Sequence, residues 1–239
     1  MSHNKYFQFK QFRIEQHHAA MKVNTDGVLL GAWANIDGVD SVLDVGTGTG
    51  LVALMIAQRN NKSFVTGIDI DEHAVIDATE NIRKSPWPDR ISVQHIAFQD
   101  FAETYPGKFN LIISNPPFFS NSVKNSNARL SVARHNHLLP FADMISGTLR
   151  LLDEKGHLSI ILPVDEADLF IGLAAKNGLF LRRLTSVKPF PDKEPNRSLM
   201  EFSFLKCETE CTVFSVYNET KANYSQEFML LVRDFYLKL

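Results

Sequence analysis

From residue 41 onward, short apolar segments alternate with segments in which apolar residues recur at helical spacing. Segments such as HLSIIL (157–162) are almost continuously apolar, which is typical of strands buried on both faces of a sheet. The alternation therefore predicts a parallel sheet that is covered by helices on both sides. The predicted strands span 41–46, 64–69, 91–96, 109–114, 157–162, 179–187 and 198–206. The predicted helices between them span 51–59, 71–84, 140–153 and 164–176.

The last two of these strands differ from the others because no helical segment separates them. Only the loop KPFPDKEPNR (188–197) lies between them, and so short a connection joins antiparallel neighbours. The expected fold class is α/β, with a doubly wound, seven-stranded sheet that is mostly parallel and has one antiparallel strand near its C-terminal end. Residues 41–206 form this main domain.

Two further segments flank the main domain. Residues 1–40 are expected to form an N-terminal extension that packs on it, with a helix near 26–33. Residues 207–239 are expected to complete the same domain with a short strand at 211–217 and an amphipathic helix at 225–238.

Composition narrows the class of protein further. The chain has 239 residues, of which 44% are hydrophobic, and this is enough to bury a large core without disulfides. Its two cysteines, Cys207 and Cys211, provide neither a disulfide framework nor a zinc site, so we expect a reducing compartment and no metal. No apolar segment approaches the ~18 residues of a membrane span, and the polar start MSHNKYFQFK does not resemble a signal peptide. These features predict a cytoplasmic globular protein.

The formal net charge of −2 conceals three basic segments, at 1–22, 121–137 and 182–197. Each could be an ordinary solvated loop, whereas three such segments around one site would attract the phosphates of a nucleic acid. The candidate RNA-binding residues are Lys10, Lys22, Lys124, Arg129 and Arg134.

A glycine-rich loop, in the sequence LDVGTGTG (43–50), follows the first predicted strand. Glycines at the junction of a strand and a helix let the backbone approach a ligand, and the start of the helix offers free N–H groups. The spacing G-x-G-x-G differs from the dinucleotide fingerprint, and no Lys-Ser/Thr pair follows Gly50 as in a P-loop. Asp44, inside the strand, favours a ligand with a cationic end over a pyrophosphate.

A second acid, Asp69, closes the next predicted strand. A carboxylate at this position can accept hydrogen bonds from both hydroxyls of a ribose. The glycine loop and the acid together fit NAD or S-adenosylmethionine, and the glycine spacing with Asp44 favours the latter. The same residues could instead form a tight turn in which Asp69 or Asp71 caps the following helix.

Directly after the strand predicted at 109–114 come Asn115, Pro116, Pro117 and Phe118. Ligands of open α/β sheets bind at the carboxyl ends of the strands, so this tetrapeptide is expected in the same crevice as the glycine loop. The prolines remove two backbone donors and leave carbonyl groups as acceptors, to which the Asn115 side chain adds another. These acceptors could hold both hydrogens of one planar amino group while Phe118 stacks on the ring that carries it. An ordinary turn is the alternative interpretation.

Such an arrangement suits methylation of the N6 amino group of adenine. The N6 lone pair is delocalised into the ring and is a poor nucleophile. Two acceptors that hold both N6 hydrogens favour a pyramidal nitrogen, whose lone pair can point at the methyl group of a sulfonium. Transfer then depends on positioning more than on a strong base, and the tetrapeptide contains no titratable residue.

With these motifs, the chain resembles the class I, Rossmann-like S-adenosylmethionine-dependent methyltransferases, in particular the amino-methylating group marked by Asn-Pro-Pro-(Tyr/Phe). Its segments FKQF (9–12) and MKVNTDGVLLGAW (21–33) are similar to the start of bacterial tRNA1(Val) (adenine-37-N6)-methyltransferases. The turn SPW (85–87) and the segments NYS (223–225) and FYL (235–237) are similar as well. The resemblance spans nearly the whole chain.

The resemblance implies S-adenosylmethionine as cofactor, S-adenosylhomocysteine as product, and tRNA as the partner of a monomeric enzyme. It makes Asn115 to Phe118 the site for a flipped adenosine next to the anticodon of valine tRNA. The expected cofactor-binding residues are Asp44, Gly46, Thr47, Gly48, Gly50, Asp69, Ile70 and Asp100. Of these, the glycines would surround the methionine part and Asp69 would hold the ribose. Asp100 is included because members of this family usually carry an acid just past the third strand, where this chain has Ala97.

Other acceptors and one other class of function remain open. The same tetrapeptide serves N6-methylation of adenine in ribosomal RNA or DNA, and N5-methylation of a protein glutamine, whose amide poses the same lone-pair problem. Glutamine methyltransferases usually carry a longer helical N-terminal domain than the 40 residues present here. A non-catalytic, S-adenosylmethionine-binding RNA scaffold is the alternative from another class.

Overall fold

The computed structural model describes residues 5–117, 139–220 and 222–238, and these form an α/β fold. The strands are β1 (Tyr6–Gln8), β2 (Arg13–Glu15), β3 (Ser41–Val45), β4 (Phe64–Asp69), β5 (Ile91–His95), β6 (Phe109–Ser114), β7 (Leu152–Pro163), β8 (Phe180–Lys188), β9 (Arg197–Ser203) and β10 (Glu210–Ser215). The helices are α1 (Thr25–Trp33), α2 (Leu51–Arg59), α3 (Glu72–Arg83), α4 (Phe98–Thr104), α5 (Phe141–Leu151), α6 (Val164–Lys176) and α7 (Gln226–Val232), with a 3₁₀ turn at Pro88–Arg90. In this part of the chain no helix is long and apolar enough to cross a membrane.

The central sheet has the strand order β10-β8-β9-β7-β6-β3-β4-β5. All its strands run in one direction except β9, which pairs antiparallel with both β7 and β8. The predicted fold class is therefore confirmed, including the single antiparallel strand. The sheet has eight strands instead of seven, because β10 adds in parallel to the exposed side of β8.

Several element boundaries differ from the sequence prediction. Helix α5 ends at Leu151, earlier than predicted, because Leu152 already pairs with Phe109 as the first residue of β7. Helix α7 stops at Val232, after which the Phe235 N–H donates to the Val232 carbonyl in a tighter turn and the Phe235 carbonyl accepts a hydrogen bond from the backbone N–H of Lys10. The hairpin β1–β2 and helix α4 were not predicted, since they are short and α4 has no side-chain cap at its start.

Two cores cover the two faces of the sheet, and neighbouring residues of one strand alternate between them. Leu111 and Ile113 of β6 pack into the core that contains residues of α1, α2, α3 and α7. Ile112, between them, packs into the opposite core with residues of α4, α5 and α6. This alternation explains the continuous apolar segments in the sequence, because a strand covered on both faces has no polar side.

Candidate functional site

The glycine loop, Asp69 and Asn115 lie together at the carboxyl edge of the sheet. Strand β3 lies between β4 and β6, and Val45 at its end pairs with Ile68 on one side and with Ser114 on the other. The glycine loop, Asp69 and Asn115 therefore follow three adjacent parallel strands. This is the edge at which open α/β sheets bind their ligands.

The glycine loop adopts a backbone that favours glycine at three positions. Gly46, Gly48 and Gly50 have φ angles of 72°, 58° and 80°, in the left-handed region. The backbone N–H groups of Gly46 and Thr47 donate to the carbonyl of Ile68, which fixes the loop to β4. Within the described residues, no heavy atom lies within 4 Å of the position that a Cβ on Gly46 would occupy. The loop is thus hydrogen-bonded to β4 on one side and has open space beside Gly46 on the other.

Asp44 lies beneath this loop, and only 1% of its surface is exposed. The Thr47 hydroxyl donates to Asp44 Oδ2 over 2.7 Å. Burial raises the pKa of Asp44 from 3.8 to about 7, although the hydrogen bonds from Thr47 and from the backbone of Ala53 oppose the shift. Near neutral pH this carboxyl can therefore change its charge when a cation binds next to it.

Asp69 is held in place by two backbone donors. The N–H of Gly48 donates to Oδ2 over 2.8 Å, and the N–H of Asp71 donates to Oδ1 over 2.9 Å. Burial raises the pKa of Asp69, and these two hydrogen bonds oppose the shift. Each carboxylate oxygen can accept a second hydrogen bond, so the pair of oxygens can still receive ribose hydroxyls.

The neighbours of Asp69 in the chain test the alternative interpretation, in which Asp69 or Asp71 only caps the helix that follows. Asp71 caps α3, since its side chain accepts a hydrogen bond from the N–H of His73. Asp69 lies outside that cap. Ile70, between the two, is 47% exposed and offers an apolar surface at the same edge.

The side-chain oxygen of Asn115 has unusual surroundings. Its Oδ1 is buried and has no hydrogen-bond partner among the described residues. Leaving a buried acceptor unpaired costs about 1–3 kcal/mol, and such groups in native proteins require an explanation. Pro116 is buried and Pro117 is exposed. Phe118, the fourth residue of the predicted tetrapeptide, lies outside the described residues.

Helix α1, which the sequence analysis predicted near 26–33, begins next to Asn115. Asn24 caps α1 by accepting a hydrogen bond from the N–H of Gly27 over 2.8 Å. A Cβ on Gly27 would lie 3.1 Å from Leu51 Cδ2 and 3.7 Å from Asn115 Nδ2. Glycine at this position therefore allows α1 to pack closely against α2 and the asparagine. A polar N-cap before a helix predicts the start of α1, but not its neighbours.

Helix α3 anchors the segment 15–19 beside the glycine loop, through two polar residues that the sequence analysis did not select. Asp77 Oδ2 accepts hydrogen bonds from the N–H groups of His18 and Ala19, both over 2.9 Å. Asn81 Nδ2 donates to the carbonyls of Glu15 and Thr49. Both side chains are buried on a helix face that is otherwise apolar. Polar residues on the apolar face of a predicted helix are the sequence pattern that could have identified them.

The remaining predicted residues occupy different surroundings. Asp100 lies exposed in the first turn of α4, and Ala97 precedes that helix. Lys22 is exposed two residues before the cap of α1. Lys10 lies near the C-terminus, where its Nζ donates to the carbonyl of Arg233 over 2.6 Å. Lys124, Arg129 and Arg134 lie outside the described residues. In the described ranges, no group of three or more His, Cys, Asp or Glu residues could hold a metal ion.

The fold and this edge are those of a Rossmann-like methyltransferase, and the chain belongs to the methyltransferase small domain family, whose model matches residues 28–164. Among curated proteins, a relative from Christiangramia forsetii is 42% identical over 239 residues, which cover 99% of both chains. A relative from Pseudoalteromonas translucida is 42% identical over 233 residues, which cover 98% of this chain and 99% of the relative. Both are named tRNA1(Val) (adenine(37)-N6)-methyltransferase. The family resemblance found in the sequence is confirmed.

Solved structures support the fold. A predicted O-methyltransferase from Agrobacterium tumefaciens has a TM-score of 0.67 at 18% identity, covering 88% of this chain and 96% of that one. A putative S-adenosylmethionine-dependent methyltransferase from Listeria monocytogenes has a TM-score of 0.56 at 16% identity, covering 77% and 100%. At identities this low, the similarity shows only that the fold is shared.

Proposed function

We propose that this protein transfers the methyl group of S-adenosylmethionine to the N6 atom of adenosine 37 in tRNA1(Val). The observation that carries the proposal is the buried, unpaired Oδ1 of Asn115, because an amino group of a bound base would supply its missing donor. The names of the relatives that match almost the whole chain support the choice of acceptor.

The glycine loop and its surroundings fit the cofactor. The left-handed glycines open the backbone towards the ligand, Asp69 has acceptor capacity for the ribose, and Ile70 offers an apolar surface for the adenine ring. Asp44 supplies a buried carboxyl whose negative form suits a nearby cation. When bound, S-adenosylmethionine supplies an electrophilic methyl group on a positively charged sulfur. Asp100 remains a candidate contact to the adenine amino group.

The chain's own contribution to the transfer is to hold and shape the acceptor. Asn115 Oδ1 and a backbone carbonyl of the tetrapeptide would accept the two N6 hydrogens of the target adenine. This favours a pyramidal nitrogen with a directed lone pair, and it fixes the line of attack. On accepting the methyl group, N6 would gain the positive charge that the sulfur loses, S-adenosylhomocysteine would be the leaving thioether, and N6 would then lose one of its protons to solvent water.

Basic residues are proposed to contact the RNA backbone. Lys22, close to the start of α1, is suited to a phosphate near the flipped base. Lys10 already donates to the C-terminal segment, which makes it a weaker candidate. Lys124, Arg129 and Arg134 stay predicted contacts. We further propose that the protein acts as a monomer in the cytoplasm.

Methyl transfer by the wild-type protein and by an Asn115→Ala variant tests this function. Labelled S-adenosylmethionine is incubated with unmodified transcripts of valine tRNA and of several other tRNAs. Wild-type protein should label valine tRNA, and Asn115→Ala should lose at least about 100-fold in rate, a loss of the size seen when a transition-state hydrogen bond is removed. Its cofactor affinity, measured by calorimetry, should stay unchanged.

Asn61→Ala is the matched control, because Asn61 is exposed in the connection that leads into β4 at the opposite edge of the sheet. It should behave like the wild type. Full activity of Asn115→Ala would contradict the mechanism. A wild-type protein that binds the cofactor but labels no tRNA would redirect the search to ribosomal RNA, DNA, a protein glutamine or a non-catalytic role.

A further inference from the structure

Three aromatic rings form a stacked column at the far end of the same sheet edge. The ring centroids of Phe190 and Tyr217 are 5.2 Å apart and those of Tyr217 and Tyr224 are 5.4 Å apart, with interplanar angles of 26° and 20°. Tyr224 in turn packs on the buried Phe228 at 4.7 Å. Tyr217 is 36% exposed. We call Phe190, Tyr217 and Tyr224 the aromatic surface.

Backbone hydrogen bonds hold this surface in place. Beyond the ends of β8 and β10, the N–H of Val216 donates to the carbonyl of Lys188 and the N–H of Tyr217 donates to the carbonyl of Pro189. Tyr217 and Tyr224 also face each other in an isolated antiparallel bridge. The rings therefore lie on a fixed scaffold, which lowers the entropy cost of binding a partner.

The aromatic surface shares its edge with Asn115. Strands β8 and β10 run in the same direction as β6 and lie three and four strands away from it. At about 4.8 Å per strand, the separations are roughly 14 and 19 Å. Between the two places, Arg197 at the start of β9 donates to Asp26 of α1 over 2.9 Å. The N–H of Asn196 donates to the carbonyl of Val187, which joins the loop 188–197 to β8.

A cleft beside the rings offers the groups that recognise a nucleobase. Its volume is about 500 Å³, and it is lined by Tyr217, Asn218, Ala222, Asn223, Tyr224 and Met229. None of these described residues is charged. Aromatic faces stack on bases, and asparagine amides can bond to base edges.

The charges nearby are mixed. The loop 188–197 carries Lys188, Lys193 and Arg197 against two acids. A second cleft, of about 410 Å³, contains Glu219 and Glu227 together with Lys188, and this composition does not favour phosphates. The cleft whose described lining consists of tyrosines, asparagines, Ala222 and Met229 is accordingly the better place for a base.

We infer that the aromatic surface and the cleft beside it bind an unpaired base of the RNA strand whose target adenosine lies at Asn115. This inference rests on the proposed function and adds a second contact with the substrate. Anticodon loops are single-stranded, and their bases can be splayed out and stacked on aromatic side chains. Base stacking on aromatic residues tolerates different sequences, so this surface would supply affinity and positioning more than base identity.

Substitutions of Tyr217 test the inference. For methyl transfer to valine tRNA, Tyr217→Ala should raise KM roughly 10-fold, the size expected for one lost stacking contact, with kcat close to that of the wild type. Tyr217→Leu keeps the apolar volume without the aromatic face and should raise KM similarly. Tyr217→Phe should keep the wild-type KM. Phe64→Ala is the matched control, since Phe64 is 63% exposed at the opposite edge of the sheet, and it should change nothing.

A fluorescent purine analogue, placed in turn at the unpaired loop positions other than the target, reports stacking directly. Wild-type protein and Tyr217→Phe should quench at least one position, and Tyr217→Ala should not. A wild-type KM together with undiminished quenching in Tyr217→Ala would overturn the inference, as would a Tyr217→Phe variant as weak as Tyr217→Ala. If the wild type methylates no tRNA, the proposed function fails, whereas the quenching comparison still decides whether this surface stacks on RNA.

Discussion

Asp44 shows how the burial of a single carboxyl can couple cofactor binding to pH. In the free protein its pKa is raised to about 7, whereas the unfolded chain ionises it near 3.8. The folded state therefore benefits from the protonated form, and this benefit is lost as pH rises from about 4 through 7. At about 1.4 kcal/mol per pKa unit, the effect is on the order of a few kcal/mol.

We predict that affinity for S-adenosylmethionine increases from pH 6 to pH 8, because a bound sulfonium favours the ionised carboxylate. S-adenosylhomocysteine, whose sulfur is uncharged, should show a weaker pH dependence. Asp44→Asn should flatten the dependence for the sulfonium ligand and reduce its affinity. Calorimetry at several pH values measures all three. If affinity for S-adenosylmethionine had the same pH dependence in wild type and Asp44→Asn, ionisation of Asp44 would not be coupled to ligand binding.

Gly67 illustrates a constraint that acts between neighbouring strands. It pairs with Asp44 in the sheet, and a Cβ at this position would lie 2.8 Å from Thr47 Oγ1. We predict that Gly67→Ala displaces the Thr47 side chain, destabilises the protein by about 1–3 kcal/mol, and weakens cofactor binding. Denaturant unfolding and calorimetry provide the measurements.

The matched substitution is Gly172→Ala in the exposed part of α6. Among the described residues no heavy atom lies within 4 Å of its Cβ position, and alanine favours a helix. This variant should be as stable as the wild type or slightly more stable. If Gly67→Ala proved equally harmless, the close packing over Asp44 would play no part in the site.

Among individual residues, the sequence could indicate those candidate site residues that belong to a motif with a fixed spacing along the chain. The glycine spacing, Asp69 and the Asn-Pro-Pro segment could all be read in this way. The hydrogen bond of Thr47 to Asp44, the close packing of Thr47 on Gly67 and the position of Gly27 beside Asn115 are different. They depend on which strands and helices become neighbours, and no local pattern encodes that.

Among the elements, α3 has a double role, as it covers the sheet and also anchors the segment 15–19. Burial alone would raise the pKa of Asp77, but hydrogen bonds from the backbone of Ala19 and His18 and from the His18 ring lower it overall. The stabilisation is present above the ordinary pKa of about 4 and is lost as pH falls through the lowered value.

We predict that Asp77→Ala frees the segment 15–24 and lowers the melting temperature, since buried backbone donors lose a charged acceptor. Hydrogen exchange of residues 15–24 should accelerate, and methyl transfer should slow because the segment leads to the cap of α1 beside Asn115. Glu80→Ala is the control on the same helix, where exposed Glu80 forms ion pairs with Arg83 and Lys84. It should leave exchange unchanged, and accelerated exchange in both variants would refute a specific anchor.

Elements were predictable where burial produces a repeating pattern over several residues. The strands of the parallel sheet and helices α2, α3, α5 and α6 follow this rule. The strands β1 and β2 have three residues each, and their hairpin is stabilised by tertiary packing of Phe9 and Ile14, both fully buried. The parallel pairing of β10 with β8 likewise depends on an available sheet edge, which the sequence does not reveal.

In the whole molecule, the N-terminal and C-terminal segments that the structure describes meet on one face of the sheet. Phe9 and Phe12 stack at 4.7 Å and share a core with Phe228 and Phe235. The N–H of Lys10 donates to the carbonyl of Phe235 over 2.8 Å. The division into an extension (1–40), a main domain (41–206) and a completing segment (207–239) stays a prediction.

The carboxyl edge of the sheet carries the glycine loop, Asn115 and the aromatic surface in one row of strand ends. A substrate that spans this row must place one base at Asn115 and a neighbouring part of the strand some 14–19 Å away, by the strand spacing. The loop of a tRNA meets this requirement with a single strand.

The most direct test locates the methyl group that the wild-type protein adds to an unmodified valine tRNA transcript. After reaction with S-adenosylmethionine, nuclease digestion and mass spectrometry identify the modified nucleotide and its position. We predict N6-methyladenosine at position 37, and no product on a transcript in which that adenosine is replaced by guanosine. A methyl group at another position or atom, or undiminished methylation of the guanosine transcript, would contradict this prediction.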